Sequence, residues 1–136
     1  MAEASTTKAT LRVFTPESSL DFVSAALGVL PAQVHLKGEP RSKRNPQSTV
    51  YEESVWLYDS ELPDCSELHE HIDALLTLLE RNADRVANIR QRITSMDIFC
   101  MYSSDHGQGS AILQAELIRR LAKHDIDLIM DLYPPN

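Results

Sequence analysis

The sequence is poor in cysteine, in glycine and in long apolar runs. It has two cysteines, Cys65 and Cys100, and four glycines in 136 residues. Two cysteines do not make the repeated framework that staples small secreted domains, so a reducing compartment is the simpler expectation. No apolar run approaches the roughly 18 residues that a transmembrane helix needs. We therefore expect a soluble, cytoplasmic protein without a membrane partner.

Basic charge is also scarce. The net charge is −7, and segment 37–46 alone carries +3, which leaves −10 on the rest of the chain. A nucleic-acid-binding protein usually presents an extended basic surface, so nucleic acid is not expected as a partner. The basic segment either grips an acidic partner or phosphate, or it is simply solvated. Its basic residues are Lys37, Arg41, Lys43 and Arg44.

The apolar content is sufficient for one folded unit. A hydrophobic fraction of 43% can bury a core without a metal or disulfides. Residues 1–9 are small and polar, and we predict that they are disordered. Residues 10–136 are predicted to form a single α+β domain. Within it, residues 38–53 contain glycine and proline without periodicity, which predicts a long, mobile, basic loop.

Three helices are predicted from apolar residues at spacings of three and four. Thr15 and Pro16 are placed to start the first helix, and Gly28 supplies the left-handed residue that ends it. Asp64 is the predicted cap of the second helix, and Ser110 is the predicted cap of the third. Five segments alternate as strands do, namely 10–14, 34–37, 54–59, 93–102 and 126–133.

The order of these elements predicts the fold. The first six, strand-helix-strand-strand-helix-strand, match the ferredoxin-like βαββαβ unit, with spatial strand order 4-1-3-2. The last helix and strand add a fifth strand beside the fourth and parallel to it. Right-handed crossovers then place all three helices on one face of the sheet. We predict a five-stranded, mainly antiparallel sheet with helices on one face.

The other face of that sheet, here called the outer face, mixes aromatic residues with both signs of charge. Such mixtures suit interfaces, whereas the alternative is an ordinary solvated face with cross-strand pairs. The side chains predicted to point toward the helices are Leu11, Val34, Val55, Ile98 and Leu128, and Leu57 follows the phase of Val55. Besides Arg12, His35, Lys37 and three aspartates, the outer face is predicted to carry the interface residues Phe14, Trp56, Tyr58, Phe99, Ile129 and Tyr133.

The loop before the third helix concentrates hydroxyl, carboxylate, imidazole and glycine. Free N–H groups at a helix start can bind an anion, so this loop is a candidate ligand site. Ile112 stands where the dinucleotide fingerprint needs its third glycine, and no Gly-Lys-Ser/Thr follows. A capped turn without a ligand is the alternative. The predicted ligand-binding residues are Ser104, Asp105, His106, Gly107, Gly109 and Ser110.

Metal and catalytic interpretations have less support. Cys65 and His69 share one face of a helix, but His71 lies about 200° round the axis from His69. One ion cannot be held by both histidines, and we expect no metal and no cofactor. Ser103 and His106 are neighbours in one loop, which seldom makes a catalytic triad. An enzyme is therefore not the leading expectation.

Three aspartates of the predicted outer face form a further candidate cluster. If the last two strands are neighbours, Asp97, Asp127 and Asp131 come close together. Like charges at short range raise a pKa or bind a cation. The alternative is that Arg12 and Lys37 pair with them.

Several motifs together resemble a known family. Lys37-Gly38 follows a short helix and strand, Trp56-Leu57 lies in the next strand, and His71 begins His-x-x-x-Leu-Leu-x-x-Leu. The closing run has Gly109, Leu113, Leu117, Leu121, Ile126-Asp127-Leu128 and Asp131-Leu132-Tyr133. From about Leu11 to Tyr133, the chain resembles the bacterial family named domain of unknown function 4279. The resemblance implies a small intracellular single-domain protein and carries over no catalytic residue.

The leading hypothesis is a non-enzymatic binding module. It would use the outer face for a protein partner or for homodimerisation. One specific form is an immunity-like protein, whose acidic body suits a basic toxin. The alternative is a small-molecule or anion-binding protein, with or without a reaction, that uses the loop 103–110.

Overall fold

The computed structural model describes residues 5–104 and 111–133. This part of the chain is an α+β structure with four α-helices, a five-stranded mixed sheet and a two-stranded hairpin. The helices are α1 (Asp21–Leu27), α2 (Leu68–Arg81), α3 (Ala83–Ile89) and α4 (Ala115–Lys123). The strands are β1 (Ser5–Thr15), β2 (Gln33–His35), β3 (Pro40–Ser42), β4 (Asn45–Val50), β5 (Ser54–Asp59), β6 (Ser95–Ser104) and β7 (Asp127–Tyr133).

The strands of the large sheet have the order β2-β5-β1-β6-β7. Read from β7, this is the predicted order, with the fifth strand beside the fourth and the others following as 4-1-3-2. The pairs β2–β5, β5–β1 and β1–β6 are antiparallel, and β6–β7 is parallel. The parallel pair makes the sheet mixed, so the prediction of a mainly antiparallel sheet is wrong.

The core lies on one face of the sheet. Ala9, Leu11 and Val13 alternate along β1 and are at most 1% exposed. By register, Leu11 stands opposite Ile98 on β6 and Tyr58 on β5. Apolar residues of all four helices join this face of the sheet in one buried cluster. The sheet side chains between them, at even positions of β1, form the outer face.

Strand β5 has the opposite phase to the one predicted. Trp56 is fully buried in the core, and its indole N–H donates to Oγ of Ser24 on α1 at 3.0 Å. Tyr58 lies on the same side and stacks with Trp56 at 6.0 Å between ring centroids. Val55 and Leu57 therefore belong to the outer face. An aromatic ring with a polar N–H can be buried where the N–H finds an acceptor, and Ser24 supplies one.

Three predicted helix starts are wrong. Thr15 and Pro16 precede a turn, in which the Thr15 hydroxyl accepts a bond from the Glu17 N–H at 3.2 Å, and α1 begins only at Asp21. Helix α2 begins at Leu68, because Glu67 is its N-cap in a capping box with Glu70. Helix α4 begins at Ala115 with Gln114 as N-cap, later than predicted, and the predicted cap Ser110 lies outside the described residues.

Two segments expected to lack regular structure contain strands. Residues 5–9 belong to β1, which runs for 11 residues, so disorder cannot extend over the whole of 1–9. The predicted loop 38–53 contains the hairpin β3–β4, where Ser42 pairs with Asn45 and leaves Lys43 and Arg44 as the turn. Gly28 does end α1 in the left-handed conformation, with φ 70°, as predicted.

Helices α1 and α2 are joined by a polar contact. The Asn82 side-chain amide donates to the carbonyl of Leu27 at 3.1 Å and to that of Leu78 at 2.9 Å. One amide group thus donates to a carbonyl in the last turn of each helix, where carbonyls lack intrahelical donors. This contact fixes α1 against the long helix beside Trp56.

Replacement of Trp56 tests the corrected phase of β5. We expect Trp56→Ala to lower the free energy of unfolding by about 3–5 kcal/mol, because it opens a cavity in the core. Urea unfolding measures the loss. The control is Leu30→Ala at a side chain that is 82% exposed, where we expect a change within about 0.5 kcal/mol. Equal small effects for both variants would place Trp56 at the surface and restore the original phase.

Candidate functional site

The centre of the outer face is an ion pair between neighbouring strands. Arg12 on β1 and Asp97 on β6 stand opposite each other in the register. Arg12 Nε lies 2.7 Å from Asp97 Oδ1, and Nη2 lies 2.9 Å from Oδ2. The side chains are 26% and 12% exposed, so this bidentate pair is largely removed from water. Of the two predicted partners of the aspartates, Arg12 pairs with Asp97, whereas within the described residues Lys37 pairs with none of the three.

Two aromatic rings hold the Arg12 guanidinium from either side. Its carbon lies 5.2 Å from the centroid of Phe14 and 4.7 Å from the centroid of Phe99. Such cation–π contacts add to the ion pair where water is partly excluded. The middle of the outer face is consequently a packed cluster in which Arg12 and Asp97 satisfy each other's charge.

An apolar strip extends from this cluster toward β7. Phe99 pairs with Ile129 in the parallel register, and Met101 lies two residues further along β6. All three side chains are partly exposed, and Tyr133 at the end of β7 is 47% exposed. Hydrogen bonding to Asp131 raises the pKa of Tyr133. We call Phe99, Met101, Ile129 and Tyr133 the apolar strip.

The hairpin borders the other end of the outer face. Tyr51, just after β4, stacks on His35 of β2 with ring centroids 4.6 Å apart. The Arg41 guanidinium lies 4.7 Å from the Tyr51 centroid. A shallow groove of about 370 Å³ separates these residues from Arg12, above the outer-face side chains Val55 and Leu57. Tyr51 is not among the predicted site residues, because no glycine-containing turn marks the hairpin, and Arg41 was predicted only as part of the basic segment 37–46.

The predicted interface residues are divided between the two faces. The structure brings Phe14, Phe99, Ile129 and Tyr133 together on the outer face. Trp56 and Tyr58 are on the inner face, so both are wrong as interface residues. The full list of outer-face apolar residues also includes Val55, Leu57 and Met101, which the predicted phase of β5 and the choice of aromatic residues left out.

Of the predicted ligand residues, only Ser104 lies within the described part of the chain. Ser104 ends β6, whereas Asp105, His106, Gly107, Gly109 and Ser110 lie outside the described residues. Ile112 is 70% exposed in a non-helical segment, and the first turn of α4 begins three residues later. The helix start that was expected to assist anion binding therefore lies further along the chain. The loop stays a prediction.

The residues considered for zinc differ in their exposure to solvent. Cys65 is exposed ahead of α2, whereas His71 is 1% exposed within that helix. Among the described residues, no group of three or more histidine, cysteine, aspartate or glutamate side chains is placed to hold an ion. Cys100 is buried, and burial together with the charge of Asp97 raises the pKa of its thiol to about 12.

His71 also makes a contact with a serine. Its Nδ1 lies 2.5 Å from Oγ of Ser60, and its Nε2 is buried without a hydrogen-bond partner among the described residues. A serine and a histidine at this distance can form a nucleophile and base. Here the imidazole is 1% exposed and offers a substrate no surface, so the contact serves to anchor the chain after β5 to α2.

The described helices include none with the length and apolar character of a membrane span.

Fold and site together define a class of α+β protein. Its helices cover one face of a mixed sheet, and the other face of the sheet is centred on an Arg–Asp pair beside an apolar strip. The family model described as Domain of unknown function (DUF4279) matches residues 5–135. The chain belongs to this family, as the resemblance implied. No curated protein matches the chain, and no solved structure matches it.

The Arg12–Asp97 pair predicts strong coupling between the two side chains. Arg12→Met leaves a mostly buried carboxylate without its partner, and we expect a loss of about 1.5–3 kcal/mol in the free energy of unfolding. Arg12→Met with Asp97→Leu should regain most of it. A double-mutant cycle by urea unfolding measures the coupling.

The matched control for this cycle is the bidentate pair of Arg92 with Glu17, at 2.6 and 2.7 Å, whose side chains are 49% and 35% exposed. Solvent screens such a pair, so its coupling should be smaller. Equal coupling in the two cycles would show that the burial of Arg12 and Asp97 has no energetic consequence.

His71 predicts a loss of stability below neutral pH. Burial lowers its pKa, against the opposing influence of Glu70, Asp64 and nearby carbonyls. Below about pH 6.5 the unfolded chain therefore binds a proton that the folded chain excludes, and stability falls by at most about 1.4 kcal/mol per pH unit. Above that pH the effect is absent, since the imidazole is neutral in both states.

Urea unfolding at about pH 7 and about pH 5.5 measures this slope, above the range in which carboxylates dominate. His71→Gln should reduce the slope, whereas His69→Gln, at an exposed histidine of the same helix, should leave it unchanged. An unchanged slope in His71→Gln would remove His71 as its source.

Proposed function

We propose that this protein is a non-enzymatic interaction module that binds a protein partner through the outer face of its sheet. The apolar strip carries this proposal, because partly exposed Phe99, Met101 and Ile129 are neighbours on the face opposite the helices, and Tyr133 lies beyond Asp131 on the same face. Aromatic and methionine side chains are enriched at protein interfaces. The adjacent Arg12 is held in place before binding, which lowers the entropic cost of association.

The charges around the strip support a basic partner. Asp127 and Asp131 lie on the outer side of β7, beside the apolar strip. The chain outside segment 37–46 carries −10. Complementary charge accelerates encounter and selects partners. The fitting partner presents an apolar centre with lysine or arginine around it. An immunity-like protein that binds a basic toxin is the specific form of this proposal.

We also propose that the sheet is a ferredoxin-like βαββαβ arrangement with additions. The order β2-β5-β1-β6 with antiparallel neighbours supports this assignment. The additions are the hairpin between β2 and β5, the helix α3, and the unit α4–β7. The fold by itself implies no function, so the interaction proposal depends on the outer face alone.

The proposal is tested with a photo-reactive amino acid at position 129, which crosslinks whatever lies against the apolar strip. The crosslinked partner is then purified and titrated calorimetrically against variants. Phe99→Ser should weaken binding at least about tenfold, since it removes an aromatic side chain from the centre of the strip. Added salt should weaken binding further, because the partner is basic.

Val50→Ser is the matched control, at an apolar side chain that is 47% exposed on the hairpin, and it should bind like the wild type. Circular dichroism confirms that both variants are folded. If a folded Phe99→Ser variant binds every crosslinked partner with wild-type affinity, the outer face is not the binding surface.

A further inference from the structure

In the part of the chain that the structure describes, strand β7 has a free edge that lacks lysine, proline and bulges, and its charged residues are Asp127 and Asp131. Within residues 5–104 and 111–133, β7 pairs only with β6, over seven consecutive positions without a register shift. It contains no lysine and no proline between Asp127 and Tyr133. Natural edge strands are usually short, bulged or marked by such residues, because an open edge is a template for another strand. The opposite edge, β2, follows this rule with three residues.

Apolar side chains adjoin the β7 edge on its inner side. Met130 is 39% exposed and Leu132 is 67% exposed. Ile118 on α4 is 51% exposed, and it lies about 200° round the helix axis from Arg120. Arg120 faces α2, where it binds Asp73 and Glu80. Ile118 therefore lies on the side of α4 away from α2, which is the side of the free edge.

We infer that a second copy of the chain pairs antiparallel with this edge, so that the two sheets become one. A two-fold axis normal to the sheet keeps the helices of both copies on the same side. Residues of the same face in the two copies then stand opposite each other. The axis lies beside one residue of β7, and that residue faces the same residue of the second copy. This leaves few registers for the pair.

The aspartates select among these registers, because like charges directly opposite each other are destabilising. An axis at Asp131 sets that residue against itself, and an axis at Ile129 sets Asp127 against Asp131 of the second copy. An axis at Met130 pairs all seven residues and opposes no two acids. Asp127 then faces Tyr133, Leu128 faces Leu132, and Ile129 faces Asp131 of the second copy.

This inference goes beyond the proposed function and is compatible with it. Pairing through backbone groups at the edge leaves the outer face accessible. It also brings the two apolar strips side by side across the axis, because Phe99 and Ile129 of each copy lie within two strands of it. A dimer would thus present two partner-binding surfaces in one continuous sheet.

The register with its axis at Met130 gives a specific test, because only in that register does Met130 of one copy face Met130 of the other. Light scattering coupled to size exclusion should show a concentration-dependent dimer for the wild type. Met130→Lys and Met130→Glu should each be monomeric, since like charges would meet across the axis. An equimolar mixture of the two variants should restore a dimer. Thermal unfolding confirms that each variant is folded, as expected for a side chain that is 39% exposed.

Phe99→Ser is the control for dimerisation, since the outer face is not required for edge pairing. It should remain dimeric while losing the partner of the proposed function, so the two proposals fail separately. A wild type that stays monomeric over the accessible concentration range would overturn the inference. So would a folded Met130→Lys variant that dimerises as well as the wild type.

Discussion

The alternation of side chains along β1 is the constraint on which the rest of the structure depends. This strand is paired on both sides, so its phase sets the registers of β5 and β6 together. Leu11 and Val13 enter the core, while Arg12 between them emerges beside Asp97. A slip by one residue would exchange these positions and bury a guanidinium among leucines. The helix layer and the outer face are therefore specified by the same few residues.

Much of this arrangement is predictable from sequence, because charges mark one side of three strands. Arg12 on β1, Asp97 on β6 and Asp127 on β7 fix which face of each strand is inward, and the predicted phases of these strands are correct. The strand order was predicted from the succession of helices and strands along the chain, which is read from local patterns. For the same reason, Phe14, Phe99, Ile129 and Tyr133 were placed on the correct face.

The remainder depends on contacts that are distant in sequence. Strand β5 has four apolar residues in succession and no internal charge, so its phase is decided by the bond from Trp56 to Ser24, 32 positions away. The predicted helix starts differ from the observed ones because threonine, aspartate and serine, as at Thr15, Asp64 and Ser110, suit turns as well as helix caps. The hairpin turns at Lys43 and Arg44, a pair that gives no turn signal. The wrong helix starts leave the outer face unchanged. The wrong phase of β5 changes which residues lie on that face.

The buried indole has a consequence for observing the molecule. Trp56 is the single tryptophan of the chain, and its N–H is bonded to α1 while its ring lies in the core between that helix and the sheet. Its emission therefore reports the packing of the core around β5, including the docking of α1. Intrinsic tryptophan fluorescence follows that contact without a label, while the outer face and the β7 edge carry no tryptophan.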